Sequence, residues 1–137
     1  MKAITPYLNF DGNAREAMTF YAECLAAELS VQSFRDSGMP SEPGTEDRVM
    51  HARLSKGPVV IMASDTMPGS TFSQGNNFHM TIECESAEEL ERLYSALGAG
   101  GTSTMEPQDT FWGARFAMLV DKYGIGWMFN FELPKQA

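Results

Sequence analysis

Two stretches of this chain carry the same order of elements, and that repetition constrains the fold more than any single motif. In each, a strand pattern leads into a helix pattern, and three further strand patterns follow. A period of about sixty residues marks a fold assembled from duplicated units. The second copy opens on Phe78-His79-Met80-Thr81-Ile82-Glu83-Cys84. Met80, Ile82 and Cys84 share one parity; His79, Thr81 and Glu83 share the other. That is the period of a strand with one apolar face. The opposite face, reading His-Thr-Glu, offers groups that bind protons, metals or polar ligands.

The first copy starts with a strand over residues 3–10, where Pro6 argues for an early or edge position because it cannot donate to a ladder. Asp11-Gly12 turns the chain. Asn13 then opens a helix, with Glu16 placed to complete a capping box. Ala14, Ala17, Met18, Tyr21, Ala22 and Leu25 recur at helical spacing and form its apolar stripe. A short strand is expected over 29–34. A loop follows over 35–47, which holds Gly38, Pro40, Pro43 and Gly44. Residues 48–55 and 59–65 read as a hairpin around Lys56-Gly57-Pro58. In its first strand Met50, Ala52 and Leu54 oppose His51, Arg53 and Ser55. The Gly-, Ser- and Asn-rich run 66–77 is the natural linker.

In the second copy Ser86 and Glu89 predict another capping box. Leu90, Leu93, Tyr94 and Leu97 form the helix stripe, and Gly98 is placed to stop it. Strands are expected over 101–109, 114–120 and 126–132. Phe111-Trp112-Gly113 and Asp121-Lys122-Tyr123-Gly124 form the turns between them. Tyr21 follows Thr5 by sixteen residues and Tyr94 follows His79 by fifteen, so one inserted residue near Asp11-Gly12 aligns the copies.

At 137 residues the chain is most simply one domain, with module one over 3–65 and module two over 78–133. An apolar fraction of 43% is enough for a core. The formal charge of -8, from 18 acidic and 10 basic residues, argues against nucleic acid and anionic membrane as partners. No apolar run is long enough to span a bilayer, and Met1 to Pro6 lacks the features of a signal peptide. Cys24 and Cys84 form no disulfide framework. A cytoplasmic protein with reduced thiols is expected.

Paired βαβββ modules resemble the vicinal oxygen chelate superfamily, which holds glyoxalase I, bleomycin-resistance proteins and extradiol dioxygenases. The resemblance covers essentially the whole chain. It is closest to the PhnB-like branch through Tyr7-Leu8-Asn9-Phe10-Asp11-Gly12-Asn13, Met50-His51-Ala52-Arg53-Leu54 and Met62-Ala63-Ser64-Asp65. The Thr110-Phe111-Trp112-Gly113 turn and the run from Asp121 to Met128 complete the match. The fold this implies is α+β, with two βαβββ modules curled around a shared cavity. Members of this branch carry a demethylubiquinone methyltransferase label. The chain has nothing resembling a methyl-donor site, such as a Gly-rich loop after the first strand of a doubly wound sheet.

The superfamily's metal site draws one ligand from the first and last strand of each module. Those positions here are Thr5, Met62, His79 and Met128. Thioethers are soft and suit copper(I), not zinc, nickel, iron or manganese, so no cofactor is expected. Parity places His79, Thr81 and Glu83 toward the implied cavity, with Tyr7, Asn9, His51, Arg53, Ser64 and Asn130. Trp112 is a candidate lid over a ligand. Each has a plainer reading. A strand histidine is commonly a satisfied structural residue, Glu83 a solvated or Arg-paired carboxylate, and Trp112 turn packing.

Two functions follow. The first is a binder of a small polar molecule without the four-ligand metal centre. The alternative is a divalent-metal-dependent lyase, isomerase or dioxygenase, with His79 as general base or metal anchor and Glu83 or His51 assisting. The aromatics at Phe111-Trp112 and in the last strand also suit a homodimer face.

Overall fold

The computed structural model describes residues 1–38 and 40–135. It divides into two compact units, Met1–Ser73 and Gln74–Ala137. The boundary falls inside the predicted linker.

Unit one runs β1 (Tyr7–Phe10), α1 (Ala14–Leu25), β2 (Glu28–Ser33), α2 (Phe34–Ser37), β3 (Val49–Lys56) and β4 (Val59–Asp65). Its sheet has the order β1-β4-β3-β2, with β1 parallel to β4 and the other pairs antiparallel. Unit two runs β5 (Met80–Glu83), α3 (Ala87–Gly98), β6 (Thr102–Asp109), β7 (Ala114–Val120) and β8 (Gly126–Glu132). Its order, β5-β8-β7-β6, repeats the first. Tyr7 stands opposite Met62 as Thr81 stands opposite Met128, so the two ladders correspond residue for residue at that point. Each is a mixed four-stranded sheet with helices, and the class is α+β.

One face of each sheet is core. In unit one, Leu8, Phe10, Ala52, Leu54, Ile61 and Ala63 are buried, as are Ala14, Ala17, Met18, Tyr21 and Ala22 of the α1 stripe. In unit two the core comprises Trp127, Phe129, Ala117 and Leu119 with Leu90, Leu93 and Leu97 of α3. Burying each large aliphatic or aromatic side chain contributes roughly 1.5–3 kcal/mol relative to exposure. Tyr94 is half-buried. Its ring meets Phe129 edge-on at 6.0 Å, and its hydroxyl donates to Ser103 Oγ at 2.6 Å.

Several element ends differ from the local pattern. β1 is paired from Tyr7 rather than residue 3. Pro6 has no N–H to give, but its carbonyl accepts from Met62 N at 3.0 Å. The second strand covers Glu28–Ser33 rather than 29–34, because Ser33 caps α2. Its side chain accepts from Asp36 N at 3.1 Å, and Asp36 accepts from Ser33 N at 3.1 Å. Those Ser33 hydrogen bonds hold the Asp36 carboxyl below the usual range. The expected loop over 35–47 therefore opens with α2; Met39 of that stretch lies outside the described residues. β5 is shorter than 78–84. Gly98 is the last residue of α3, not its stop. The left-handed position is Gly100, at φ 76°.

The caps differ too. Asn13 makes no side-chain cap bond to α1. Asp65, 4% exposed at the end of β4, takes that role from across the sheet. Its Oδ1 accepts from Gly12 N at 2.8 Å and Ala14 N at 3.0 Å, while Oδ2 accepts from Val49 N at 2.8 Å. One carboxylate thus ties the first turn, the helix start and the entry to β3. Gly12 is required at that turn. Its φ is 98°, and a Cβ would meet Arg48 Nη1 at 3.2 Å. In α3, Ser86 accepts from Glu89 N as expected, but Glu89 Oε1 accepts from Glu85 N rather than from the cap residue.

Removing Asp65 should expose what this costs. Asp65→Ala deprives three backbone N–H groups of an acceptor, at about 1–3 kcal/mol for each that stays buried and unpaired. Urea unfolding should show a loss of about 3 kcal/mol or more. Asp65→Asn, which keeps one acceptor oxygen, should lose less. A loss below about 1 kcal/mol for Asp65→Ala would remove this carboxylate from its organising role.

Candidate functional site

Because one face of each sheet is core, the other face is where polar side chains gather. In unit one the register lines up Tyr7, Met62, Arg53 and Ser30 across the four strands. Asn9 and Ser64 pair in the neighbouring row, as do His51 and Gln32. Tyr7, Asn9, Arg53, Ser30 and Gln32 are exposed; Met62, Ser64 and His51 are half-buried. Tyr7 Oη lies 3.3 Å from His51 Nδ1, with the ring centroids 5.9 Å apart. With the phenol as donor, His51 carries its own proton on Nε2.

In unit two the corresponding rows are Thr81, Met128, Met118 and Met105, then Glu83, Asn130, Phe116 and Gln108. Asn130 Nδ2 donates to Glu83 Oε2 at 2.9 Å, which gives Glu83 an amide partner rather than an arginine. Trp112 meets Phe116 edge-on at 5.5 Å, and Phe111 meets Trp112 at 5.1 Å. An aromatic ledge therefore runs from this face to the β6–β7 turn. Phe111 is 98% exposed and Trp112 53%.

His79 stands one residue before β5 and is half-buried. Its ring lies over Gly126, where a Cβ would come within 2.7 Å of the imidazole. The missing side chain at the start of β8 makes the space that His79 fills. His79 and Glu83 share a parity but are four residues apart, about 13 Å along a strand. The alternation that gives them one face also keeps them from acting as a direct pair. Thr81 lies between them and is exposed.

The superfamily's ligand positions pair within each unit. Met62 and Met128 occupy equivalent central places, while Thr5 and His79 precede the strands beside them. One hydroxyl, one imidazole and two thioethers do not fit zinc, nickel, iron or manganese. Among the described residues, no three His, Cys, Asp or Glu side chains group around one point. Cys84 is buried. That burial, with Glu89 and Glu83 nearby, pushes its thiol up to about 11, so it stays protonated at neutral pH.

A cleft of about 460 Å³ lies elsewhere in unit one, between the first turns of α1 and Asp47, Val49 and Asp65. It is a helix-side feature, and none of the site residues expected from the sequence lines it. Ser30, Gln32, Met118 and Phe116 belong to the open faces but were not among the expected site residues. Their strand parity is the signal that would have found them, since Ser30 and Gln32 alternate with Leu29 and Val31.

The family described as 3-demethylubiquinone-9 3-methyltransferase matches residues 2–129. Protein YjdN of Escherichia coli K12 is 31% identical over 138 residues, covering 93% of each chain. Among solved structures, a Pseudomonas aeruginosa protein is 36% identical, covers 98% of this chain and 100% of its own, and has a TM-score of 0.87. The PhnB protein of Bacillus cereus is 27% identical, with coverage of 95% and 99% and a TM-score of 0.78. Two glyoxalase/bleomycin resistance protein/dioxygenase structures, 18% and 15% identical, share the fold. No helix among the described residues is long and apolar enough to cross a membrane.

Proposed function

The chain belongs to the PhnB-like branch of the vicinal oxygen chelate superfamily, within the family described as 3-demethylubiquinone-9 3-methyltransferase, and on that premise we propose that it binds a small polar molecule without the usual four-ligand metal centre. One observation carries this reading. The central places that the superfamily uses for metal ligands hold Met62 and Met128, which fill space with soft, adaptable packing. Hydrogen-bonding side chains surround them instead. On unit one these are Tyr7, Asn9, His51, Arg53 and Ser64; on unit two, His79, Thr81 and Asn130, with Trp112 as an apolar wall. The methyl transfer in the family description finds no support in the architecture, since mixed βαβββ sheets are not the doubly wound sheet of a nucleotide-type donor site.

Metal dependence separates this reading from a lyase, isomerase or dioxygenase anchored on His79. A ligand that binds only the folded state must raise its stability. The protein stripped with chelator and then given stoichiometric zinc, nickel, manganese or iron(II) should melt at an unchanged temperature. A rise of several degrees with any one of them would overturn the reading and favour the metal enzyme.

The proposal extends to a cytoplasmic homodimer. Phe111 at 98% and Trp112 at 53% exposure support an aromatic contact face. Light scattering at low micromolar concentration should give twice the 15.1 kDa of one chain. A clean monomer rejects the dimer, and a dimer unchanged by Trp112→Ala together with Phe111→Ala rejects the aromatic contact face.

A further inference from the structure

In a chain with 18 acidic and 10 basic residues, an arginine without a carboxylate partner is conspicuous. Arg35 pairs with Asp47, Arg48 with Asp11, Arg92 with Glu89, and Arg115 with Glu91 and Asp109. Two arginines, Arg15 and Arg53, have neither an ion pair nor a side-chain hydrogen bond among the described residues. Arg15 lies on the exposed face of α1, where its charge acts on Asp36, and of the two only Arg53 stands on a sheet face. Its neighbours in the row are Met62 and Ser30, and its neighbours along β3 on the same face are His51 and Ser55. None is acidic.

The duplicated module supplies an internal comparison. Arg53 lies opposite Met62 as Met118 lies opposite Met128. His51, two residues before Arg53, corresponds to Phe116, two before Met118. Unit two thus builds the same sheet with a thioether and a phenyl ring at those places, so the fold needs neither the guanidinium nor the imidazole. These places are therefore free to carry recognition chemistry.

We propose that the ligand of unit one carries an oxyanion, a carboxylate or a phosphate, and that Arg53 binds it with His51 and Ser64 as further donors. This rests on the small-molecule reading above and names its chemical class. The guanidinium fork matches two oxygens of either group, and bidentate pairs of this kind are the stronger charge-assisted hydrogen bonds. In the tautomer where the Tyr7 phenol donates to Nδ1 of His51, Nε2–H is left as a donor. The Ser64 hydroxyl sits on β4 beside it, and strands are about 4.8 Å apart. Glu28, opposite Ser55 and so diagonal to Arg53 on the same face, makes no ion pair with it, and the guanidinium attracts anions against the chain's net charge of -8, an effect that salt weakens.

The test is the Arg53 Nε–Hε resonance in a ¹⁵N-labelled protein, titrated with inorganic phosphate, with acetate, and with acetamide as the neutral shape match. The expected result is a saturable shift with phosphate or acetate and binding at least tenfold weaker for acetamide. Whichever oxyanion binds more tightly tells the two sources apart. Amide resonances around His51 and Ser64 should follow the same curve. Arg53→Gln should weaken the anion at least tenfold at those amides. Arg53→Lys should retain part of the binding, and Arg15→Gln, on the exposed face of α1, should retain all of it. Acetamide binding as tightly as acetate would overturn the oxyanion proposal and leave the small-molecule reading standing. An Arg53 shift no larger than that of Arg15, linear to the highest anion concentration, would also overturn it. The metal titration, by contrast, bears on the parent reading alone.

Discussion

Everything in these modules depends on the alternation along their strands. A period of two sends every second side chain into the core beneath a helix and leaves its neighbours on the far face. Leu8 and Phe10 are buried while Tyr7 and Asn9 are exposed; Trp127 and Phe129 are buried while Met128 and Asn130 are half-buried. The helices α1 and α3 satisfy the apolar half of that pattern. The polar half is free to differ, because no packing requirement fixes it. This is why two copies of one architecture carry different chemistry: a hydroxyl, amide and cation surface on unit one, and a thioether, aromatic and acid–amide surface on unit two.

The alternation also made much of the fold legible from the sequence. Strand faces, helix stripes and the doubled order are all set by local periodicity. The misplaced features have non-local or finer causes. Nothing near Asn13 reveals that Asp65, 51 residues beyond Ala14, will accept the helix's first N–H. The α2 turn had a local signal in Ser33 and Asp36, but the Gly- and Pro-rich run after it masked a helix of four residues. Gly98 and Gly100 are both plausible stops, and only the backbone dihedral distinguishes them.

The site was legible to the same depth. Parity put Tyr7, Asn9, His51, Arg53 and Ser64 on one face, and Thr81, Glu83 and Asn130 on another. It could not supply the Tyr7–His51 contact, which reaches across β4, or the Glu83–Asn130 bond between strands 47 residues apart. Nor could it tell that Gly126 leaves a seat for the His79 ring. The equivalence of Met62 and Met128 was readable because the modules repeat. It places soft sulfur where the superfamily uses hard or borderline donors.

The central claim is that these open faces hold a small molecule and not a metal. The direct measurement is native mass spectrometry of untagged protein purified from metal-replete cells without chelator. The account predicts chains free of stoichiometric divalent metal, carrying either no adduct or an organic one released on unfolding. One equivalent of a divalent metal, retained through buffer exchange and lost in His79→Gln, would contradict it.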